Sequence, residues 1–160
     1  PHGSVLPPVN PLQTSLGMSN ASFVAQTADW VPGHLYATIR AAYEHPGFSF
    51  VKIIMRCSKF MGPLVKEMTS DREHLVLLSH ENGIEPDEFT KKVFGHIHEH
   101  DPSDIQAARA LAEDHSNSYL GLFYQNKEAL RYDIYGAHNL GKSPEEKIKA
   151  VNKHLDRYAV

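Results

Sequence analysis

The residue with the most distinctive chemistry in this sequence is its single cysteine, Cys57. It follows residues 48–55, a nearly continuous apolar run that predicts a strand covered on both faces. Ligands of open α/β sheets bind at the carboxyl ends of strands, so this position favours a functional role. A thiolate there could ligate iron or act as a nucleophile, whereas an uncharged thiol could simply be buried. The neighbouring cations Arg56 and Lys59 would favour the thiolate.

Three histidines alternate along a second segment, at His96, His98 and His100. On a strand they would share one face and resemble a zinc or iron site. Gly95 before them and Asp101-Pro102 after them predict a solvated loop instead, in which the three rings point apart. Metal binding by these histidines is therefore an alternative to the favoured interpretation as a loop.

Other familiar site motifs are missing from the sequence. No glycine-rich turn follows a strand and opens a helix, and Gly141-Lys142-Ser143 lacks the upstream glycine of a Walker sequence. No Gly-x-Ser-x-Gly elbow occurs either. The polar aromatic patch around Arg131, Tyr132, Asp133 and Tyr135 predicts a capping turn and a protein interface.

The first half of the chain must position Cys57, and its signals alternate between strand and helix. Residues 21–27 predict a strand, and the spacing of apolar residues over 33–45 predicts an amphipathic helix that stops at Pro46-Gly47. With the apolar run 48–55, these elements predict a βαβ unit in which 48–55 is an interior parallel strand.

The second half repeats the alternation. Strands are predicted at residues 75–78 and 119–124, and a short helix at 86–94. Asp101 is predicted to cap a further helix, whose apolar face holds Ile105, Ala108, Leu111 and Ala112.

The two ends of the chain carry their own signals. The proline-rich opening predicts a crossing loop over residues 1–17. Near the other end, Ser143, Pro144 and Glu146 form a capping-box signature for a last helix, with Ile148, Val151 and Leu155 as its buried stripe. The whole pattern predicts an α/β fold, a three-layer sandwich with a mostly parallel sheet.

Composition limits the classes of function. The chain has 160 residues, which suit one domain or part of one, and its 16 Lys and Arg against 19 Asp and Glu leave no basic face for nucleic acid. Its apolar runs are far shorter than the roughly 20 residues that span a membrane. One cysteine excludes an internal disulfide, so the cytoplasm is the expected compartment. The chain opens with Pro1 rather than Met, so we expect that something precedes it.

Several segments, taken in order, are similar to the later half of the β subunit of 2-oxoacid:ferredoxin oxidoreductases, with the 2-oxoglutarate-type members closest. In the first half these segments are Pro7-Pro8-Val9-Asn10-Pro11, Ala21-Ser22-Phe23-Val24-Ala25, His34-Leu35, His45-Pro46-Gly47-Phe48-Ser49-Phe50 and Arg56-Cys57-Ser58-Lys59-Phe60. Residues 101–104, 121–126, 131–133 and 155–160 resemble the C-terminal region of that subunit, which makes residues 128–160 an expected interface segment. The resemblance covers nearly the whole chain.

The resemblance implies a thiamine-diphosphate-binding fold. In that family a 2-oxoacid is decarboxylated on thiamine diphosphate, which is held with Mg2+, and coenzyme A takes the acyl group. Electrons leave through a [4Fe-4S] cluster to ferredoxin. Cys57 matches the last cluster-ligating cysteine of the family, although Arg56 and Ser58 stand where many members have prolines.

The sequence departs from the family in what it lacks. The Gly-Asp-Gly and downstream Asn that hold the magnesium diphosphate are absent, as are the other three cluster cysteines. We therefore expect the C-terminal half of a β subunit, inactive alone and without catalytic residues of its own, whose partners are the α subunit and the N-terminal half. The alternatives are a non-catalytic assembly module of the same fold and a histidine-rich metal-binding protein.

Overall fold

The computed structural model describes residues 5–6, 8–57, 59, 72–94, 96–131 and 142–158. Residues Pro1–Ala129 and Leu130–Val160 form two compact units. The elements of the first unit are, in chain order, α1 (Pro11–Gly17), β1 (Ala21–Ala28), α2 (Pro32–Glu44), β2 (Phe48–Ile54), β3 (Leu75–Ser79), α3 (Glu88–Val93), β4 (His96–Glu99), α4 (Ile105–Glu113) and β5 (Ser118–Gln125). The second unit contains α5 (Pro144–Leu155). No helix in the described part of the chain is both long enough and apolar enough to cross a membrane.

The five strands form one sheet in the order β2-β1-β5-β3-β4. Every neighbouring pair is parallel except β1 and β5, which are antiparallel. Leu12 of α1 and Ala108 of α4 pack on one face with Val24 and Leu78, while α2 packs on Phe23 and its neighbours on the other face. The predicted three-layer α/β sandwich with a mostly parallel sheet is thereby confirmed.

The predicted succession of strand, helix and strand is confirmed for β1, α2 and β2. Pro32 lies in the first turn of α2, where its missing N–H is not needed. β1 pairs in parallel with β2, and all eight residues of β1 are buried because the strand has a neighbour on each side.

The predicted interior position of residues 48–55 is wrong, because β2 is an edge strand of the described sheet. Ile53 is 45% exposed and Phe48 is 47% exposed. An apolar run reports which faces of a strand are covered, whereas the lateral neighbours depend on how the chain crosses the sheet. Of the described strands, β1 is the most buried.

Two helix boundaries also differ from the predictions. Residues 11–17 are helical rather than part of a loop, because Pro11 occupies the first turn and the side chain of Asn10 accepts a hydrogen bond from Leu12 N. The helix α4 is capped by Asp104, which accepts hydrogen bonds from Gln106 N and Ala107 N. Asp101 instead accepts a hydrogen bond from Ser103 N, so it closes the turn before the helix.

The segment with alternating histidines is a strand, and the predicted loop is wrong. β4 pairs in parallel with β3, with Val76 opposite His96 and Leu78 opposite His98. The local signals around Gly95 and Pro102 favoured a loop, but the exposed edge of β3 supplies backbone partners that no local signal records.

The last helix, α5, has the predicted capping box, since Ser143 Oγ accepts from Glu146 N and the Glu146 carboxylate accepts from Ser143 N. The predicted burial of its stripe is wrong. Ile148, Val151 and Leu155 are each more than half exposed. The helix is amphipathic, and the described residues of its own unit leave its apolar side chains uncovered.

The close approach of β5 to β3 requires glycine at position 121. Gly121 in β5 has a φ of 138°, and a Cβ there would lie 2.7 Å from Leu78 Cβ. We predict that Gly121→Ala lowers the free energy of unfolding by about 2 kcal/mol or more, through backbone strain and overlap with Leu78. Gly17→Ala is the matched control, because no atom lies within 4 Å of its added methyl group. Urea unfolding that shows equal stability for the two variants would contradict this.

Candidate functional site

Cys57 lies three residues beyond β2, at the edge of the sheet where the parallel strands β1 and β2 both end. It is partly buried, and it is a free thiol. Its backbone N–H donates a hydrogen bond to Met55 O at 3.0 Å, so the chain turns tightly immediately after the strand. The predicted position of Cys57 after the carboxyl end of a strand is confirmed.

Asp29, the first residue after β1, holds the segment that leads to Cys57. Its backbone N–H donates to Ile54 O at 3.0 Å, which extends the pairing of the two strands by one bond. Its carboxylate accepts hydrogen bonds from the backbone N of Arg56 at 3.1 Å and from Arg56 Nε at 3.0 Å. The two bonds fix both the backbone and the side chain of the residue before Cys57.

The contacts of the Asp29 carboxylate with Arg56, here called the Asp29 clamp, change the charge expected next to Cys57. The sequence suggested that the Arg56 cation would favour a thiolate, but the Arg56 guanidinium forms an ion pair with Asp29. Its charge is therefore largely balanced, and the main contribution of Arg56 is to the shape of the turn. The signal that could have revealed the clamp is an acidic residue directly after the most buried strand.

A buried histidine lies next to the end of β1. His34, near the start of α2, is 1% exposed, and its Nδ1 lies 2.8 Å from the hydroxyl oxygen of Thr27. Its Nε2 is buried without a hydrogen-bond partner among the described residues. Burial lowers the pKa of His34 to about 4, although the Asp87 carboxylate acts in the opposite direction. The ring is therefore neutral near pH 7.

The depressed pKa of His34 predicts a stability that depends on pH. Between pH 6.5 and pH 4 the unfolded chain binds a proton at this ring and the folded chain does not, so stability is full above about pH 6.5 and falls as the pH falls. The loss at pH 4 should be on the order of 3 kcal/mol. Urea unfolding from pH 7 to pH 4 measures it.

The matched comparison uses His34→Gln and, as a control at an exposed histidine, His115→Gln. The first should remove most of the pH dependence in this window, and the second should leave it unchanged. An NMR titration that places the pKa of the His34 ring above 6 would contradict the prediction, whether or not the variant folds.

Asp87 connects the loop after β3 to this region. It caps α3 by accepting a hydrogen bond from Thr90 N at 2.6 Å, which lowers the pKa of Asp87. A methyl group on Gly33 would overlap the Asp87 carboxylate, so glycine allows the loop to approach the start of α2.

The three alternating histidines, His96 and His98 in β4 and His100 just after it, do not converge. His96 and His98 are exposed on the strand, whereas His100 is buried and its Nε2 lies 2.7 Å from Phe123 O. No group of three or more His, Cys, Asp or Glu side chains that could hold a metal ion occurs within the described ranges. The polar aromatic patch predicted at Tyr132, Asp133 and Tyr135 lies outside those ranges.

The site thus provides one thiol on a fixed turn. A single thiol can supply one of the about four ligands that a four-iron cluster needs. A magnesium diphosphate needs hard oxygen ligands, but Asp29 is bound to Arg56 and Asp87 caps a helix. The described residues therefore do not form a complete site for either group.

Comparison with known proteins gives one match. No protein-family model matches the sequence, and no curated protein matches it. Among solved structures, the chain is similar to the 2-oxoglutarate:ferredoxin oxidoreductase from Magnetococcus marinus, which was solved with 2-oxoglutarate, coenzyme A and succinyl-CoA bound. The TM-score is 0.61 and the identity is 26%.

The match covers 94% of this chain and 47% of the other, so the chain spans about half the length of that protein. Over nearly its whole length, therefore, this chain is similar in fold and in sequence to about half of a 2-oxoglutarate:ferredoxin oxidoreductase, as its sequence segments predicted.

Proposed function

We propose that this chain is the C-terminal half of the β subunit of a 2-oxoacid:ferredoxin oxidoreductase. The complete enzyme would oxidatively decarboxylate a 2-oxoacid, which we propose is 2-oxoglutarate, to its acyl-CoA and pass the electrons to ferredoxin. The observation that carries the proposal is the similarity over 94% of the chain to a solved 2-oxoglutarate:ferredoxin oxidoreductase. The position of Cys57 agrees with it.

In this proposal Cys57 is one ligand of a [4Fe-4S] cluster. The turn after β2 supports that role, because the Asp29 carboxylate holds Arg56 through its backbone and its side chain. A fixed turn presents the sulfur in one direction, and metal sites depend on such supporting contacts. The other ligands of the cluster must come from outside the described residues.

Thiamine diphosphate and Mg2+ would be held by the N-terminal half, supplied by another polypeptide. When bound, thiamine diphosphate supplies the carbanion chemistry of decarboxylation. Its diphosphate and Mg2+ require oxygen ligands. At the site described above, the carboxylates of Asp29 and Asp87 are already engaged, by Arg56 and by the cap of α3. This chain would then complete the fold and bring Cys57 to the cluster.

Two exposed apolar surfaces support the need for partners. Along its outer edge β2 pairs with no other strand of the described sheet, and the side chains of Phe48 and Ile53 are exposed, an arrangement that favours pairing with another strand. On α5, Ile148, Val151 and Leu155 form an apolar stripe. We propose that the first surface contacts the N-terminal half. The second surface belongs to the interface segment 128–160, and we propose that it contacts the α subunit.

The same surfaces suit a second candidate, a non-catalytic assembly module in which Cys57 is a packed thiol. The partial burial of Cys57 is compatible with it. Anaerobic absorption of the assembled complex separates the two, because only the enzyme would show the broad iron-sulfur band.

We predict that the chain alone does not bind thiamine diphosphate. Isothermal titration with Mg2+ and thiamine diphosphate should give no saturable heat, since the sequence lacks the Gly-Asp-Gly motif and downstream Asn that hold the magnesium diphosphate in the resembled family. Addition of a polypeptide that carries the upstream half should restore binding.

Micromolar binding by the chain alone would contradict the half-subunit proposal. The control is the upstream polypeptide titrated by itself, which reports how much of the site it forms without this chain. Equal affinity with and without this chain would also count against the proposed completion of the fold.

A further inference from the structure

A polar cleft lies on the face of the sheet that α1 and α4 cover. It is formed by the ends of β1 and β2, the residue before α1 and the residues after α4, and its volume is about 200 Å3. Asn10 closes one wall by donating from its side chain to Ala112 O at 2.8 Å. The cleft is separate from the turn that holds Cys57. Its lining includes the side chains of Lys52, Gln26 and Asp114.

Lys52 provides a cation without a counter-ion. It is half-buried in β2, and burial lowers the pKa of Lys52. No carboxylate within the described ranges forms an ion pair with it. A half-buried ammonium without a partner is costly, and an anionic group in the cleft would offset that cost.

Gln26 provides an acceptor without a donor. It is directly opposite Lys52 in the pairing of β1 with β2, so the two side chains are on the same face of the sheet. Its Nε2 donates to Tyr119 O at 2.6 Å, which fixes the orientation of the amide. Its Oε1 is buried with no hydrogen-bond partner among the described residues, and Gln26 is only 4% exposed.

Asp114 provides a fixed anion. Its carboxylate accepts hydrogen bonds from Ser116 N at 2.8 Å, Asn117 Nδ2 at 2.9 Å and the Tyr119 hydroxyl at 2.7 Å. These donors lower the pKa of Asp114 to about 2, so it is ionised near neutral pH. A carboxylate has about four acceptor positions, so about one remains.

The cleft therefore combines one unpaired cation with one anion and one unsatisfied acceptor. A simple dianion would be repelled by Asp114, and a simple cation would be repelled by Lys52. A molecule with a carboxylate at one end and an ammonium at the other meets both charges, and its N–H donors can meet Gln26 Oε1. A cleft of about 200 Å3 suits a small molecule.

We propose that this cleft binds a small zwitterionic amino acid, with its carboxylate at Lys52 and its ammonium between Asp114 and Gln26. The proposal does not depend on the function of the complete enzyme. It concerns binding only and requires no chemical step.

The test uses NMR titration of the full, isotopically labelled chain with glycine, β-alanine and 4-aminobutyrate, which differ only in the distance between their charges. Propionate and propylamine are the matched controls, because each keeps one charged end of β-alanine. At least one of the amino acids should give saturable shifts at residues of the cleft. Its binding should be at least about tenfold tighter than that of either control, since two charge-assisted contacts replace one.

Lys52→Met should weaken that binding by at least about tenfold. Lys92→Met, at an exposed lysine of α3 outside the cleft, should leave it unchanged. Propionate that binds as tightly as the amino acids would reduce the cleft to a simple anion site and overturn the proposal. The absence of saturable shifts with all three amino acids would overturn it too, and this comparison needs no variant to fold.

Discussion

Replacement of Cys57 by alanine in the assembled enzyme is expected to remove most of the cluster iron. The physical reason is that a four-iron cluster needs about four ligands, and in the proposal Cys57 is one of them. Ferredoxin reduction should fall by at least about tenfold, since even residues that only support metal ligands give losses of that size. Thiamine diphosphate binding should be largely retained. Iron and sulfide analysis of anaerobically purified complex measures the first effect.

Met55→Ala is the matched control for this prediction. Met55 is on the same turn and is 62% exposed, and the variant keeps the backbone oxygen that accepts from Cys57 N. It should retain its iron. Alkylation gives an independent measurement, because a sulfur bound to iron reacts poorly and becomes reactive once the cluster is removed. An iron and sulfide content that is unchanged in Cys57→Ala would reject the ligand role and favour the assembly module.

Phe123→Ala should lower the free energy of unfolding of the chain by about 3–5 kcal/mol. The Phe123 ring is 1% exposed and packs with Leu16, Val24 and Leu78 between the sheet and its covering helices α1 and α4. Loss of the ring removes buried apolar contacts and leaves a cavity. The hydrogen-bond acceptor for His100 is the backbone oxygen of Phe123, so the substitution keeps it.

Ile53→Ala is the comparison that tests the corrected sheet order. If Ile53 were an interior residue, this substitution would lower the free energy of unfolding by about 2–5 kcal/mol. Because Ile53 is 45% exposed on the edge strand, we expect a loss of about 1 kcal/mol or less. Urea unfolding of the two variants at neutral pH measures the difference. Equal losses would mean that β2 is covered in the free chain. In the assembled complex we expect Ile53→Ala to weaken association with the N-terminal half instead.

Local signals in the sequence determined most of the elements, though not α1 or β4, and the place of Cys57. The alternation at 21–27, the helical spacing at 33–45 and the apolar run at 48–55 each appear as the predicted element. The capping box of Ser143 and Glu146 also forms as predicted. These features depend on residues within a few positions of one another, so periodicity and capping chemistry suffice to predict them. The family resemblance likewise follows from ordered sequence segments.

Only the tertiary structure decided which strands are neighbours and which charges meet. The edge position of β2, the pairing of the histidine segment with β3 and the exposure of the α5 stripe depend on residues distant in sequence. The ion pair of Asp29 with Arg56 spans 27 positions, and the hydrogen bond from Gln26 to Tyr119 spans 93. The periodicity of a segment reports which of its faces are apolar, but not what covers them. The surroundings of Cys57 and the polar cleft of Lys52 were therefore visible only once the chain was folded.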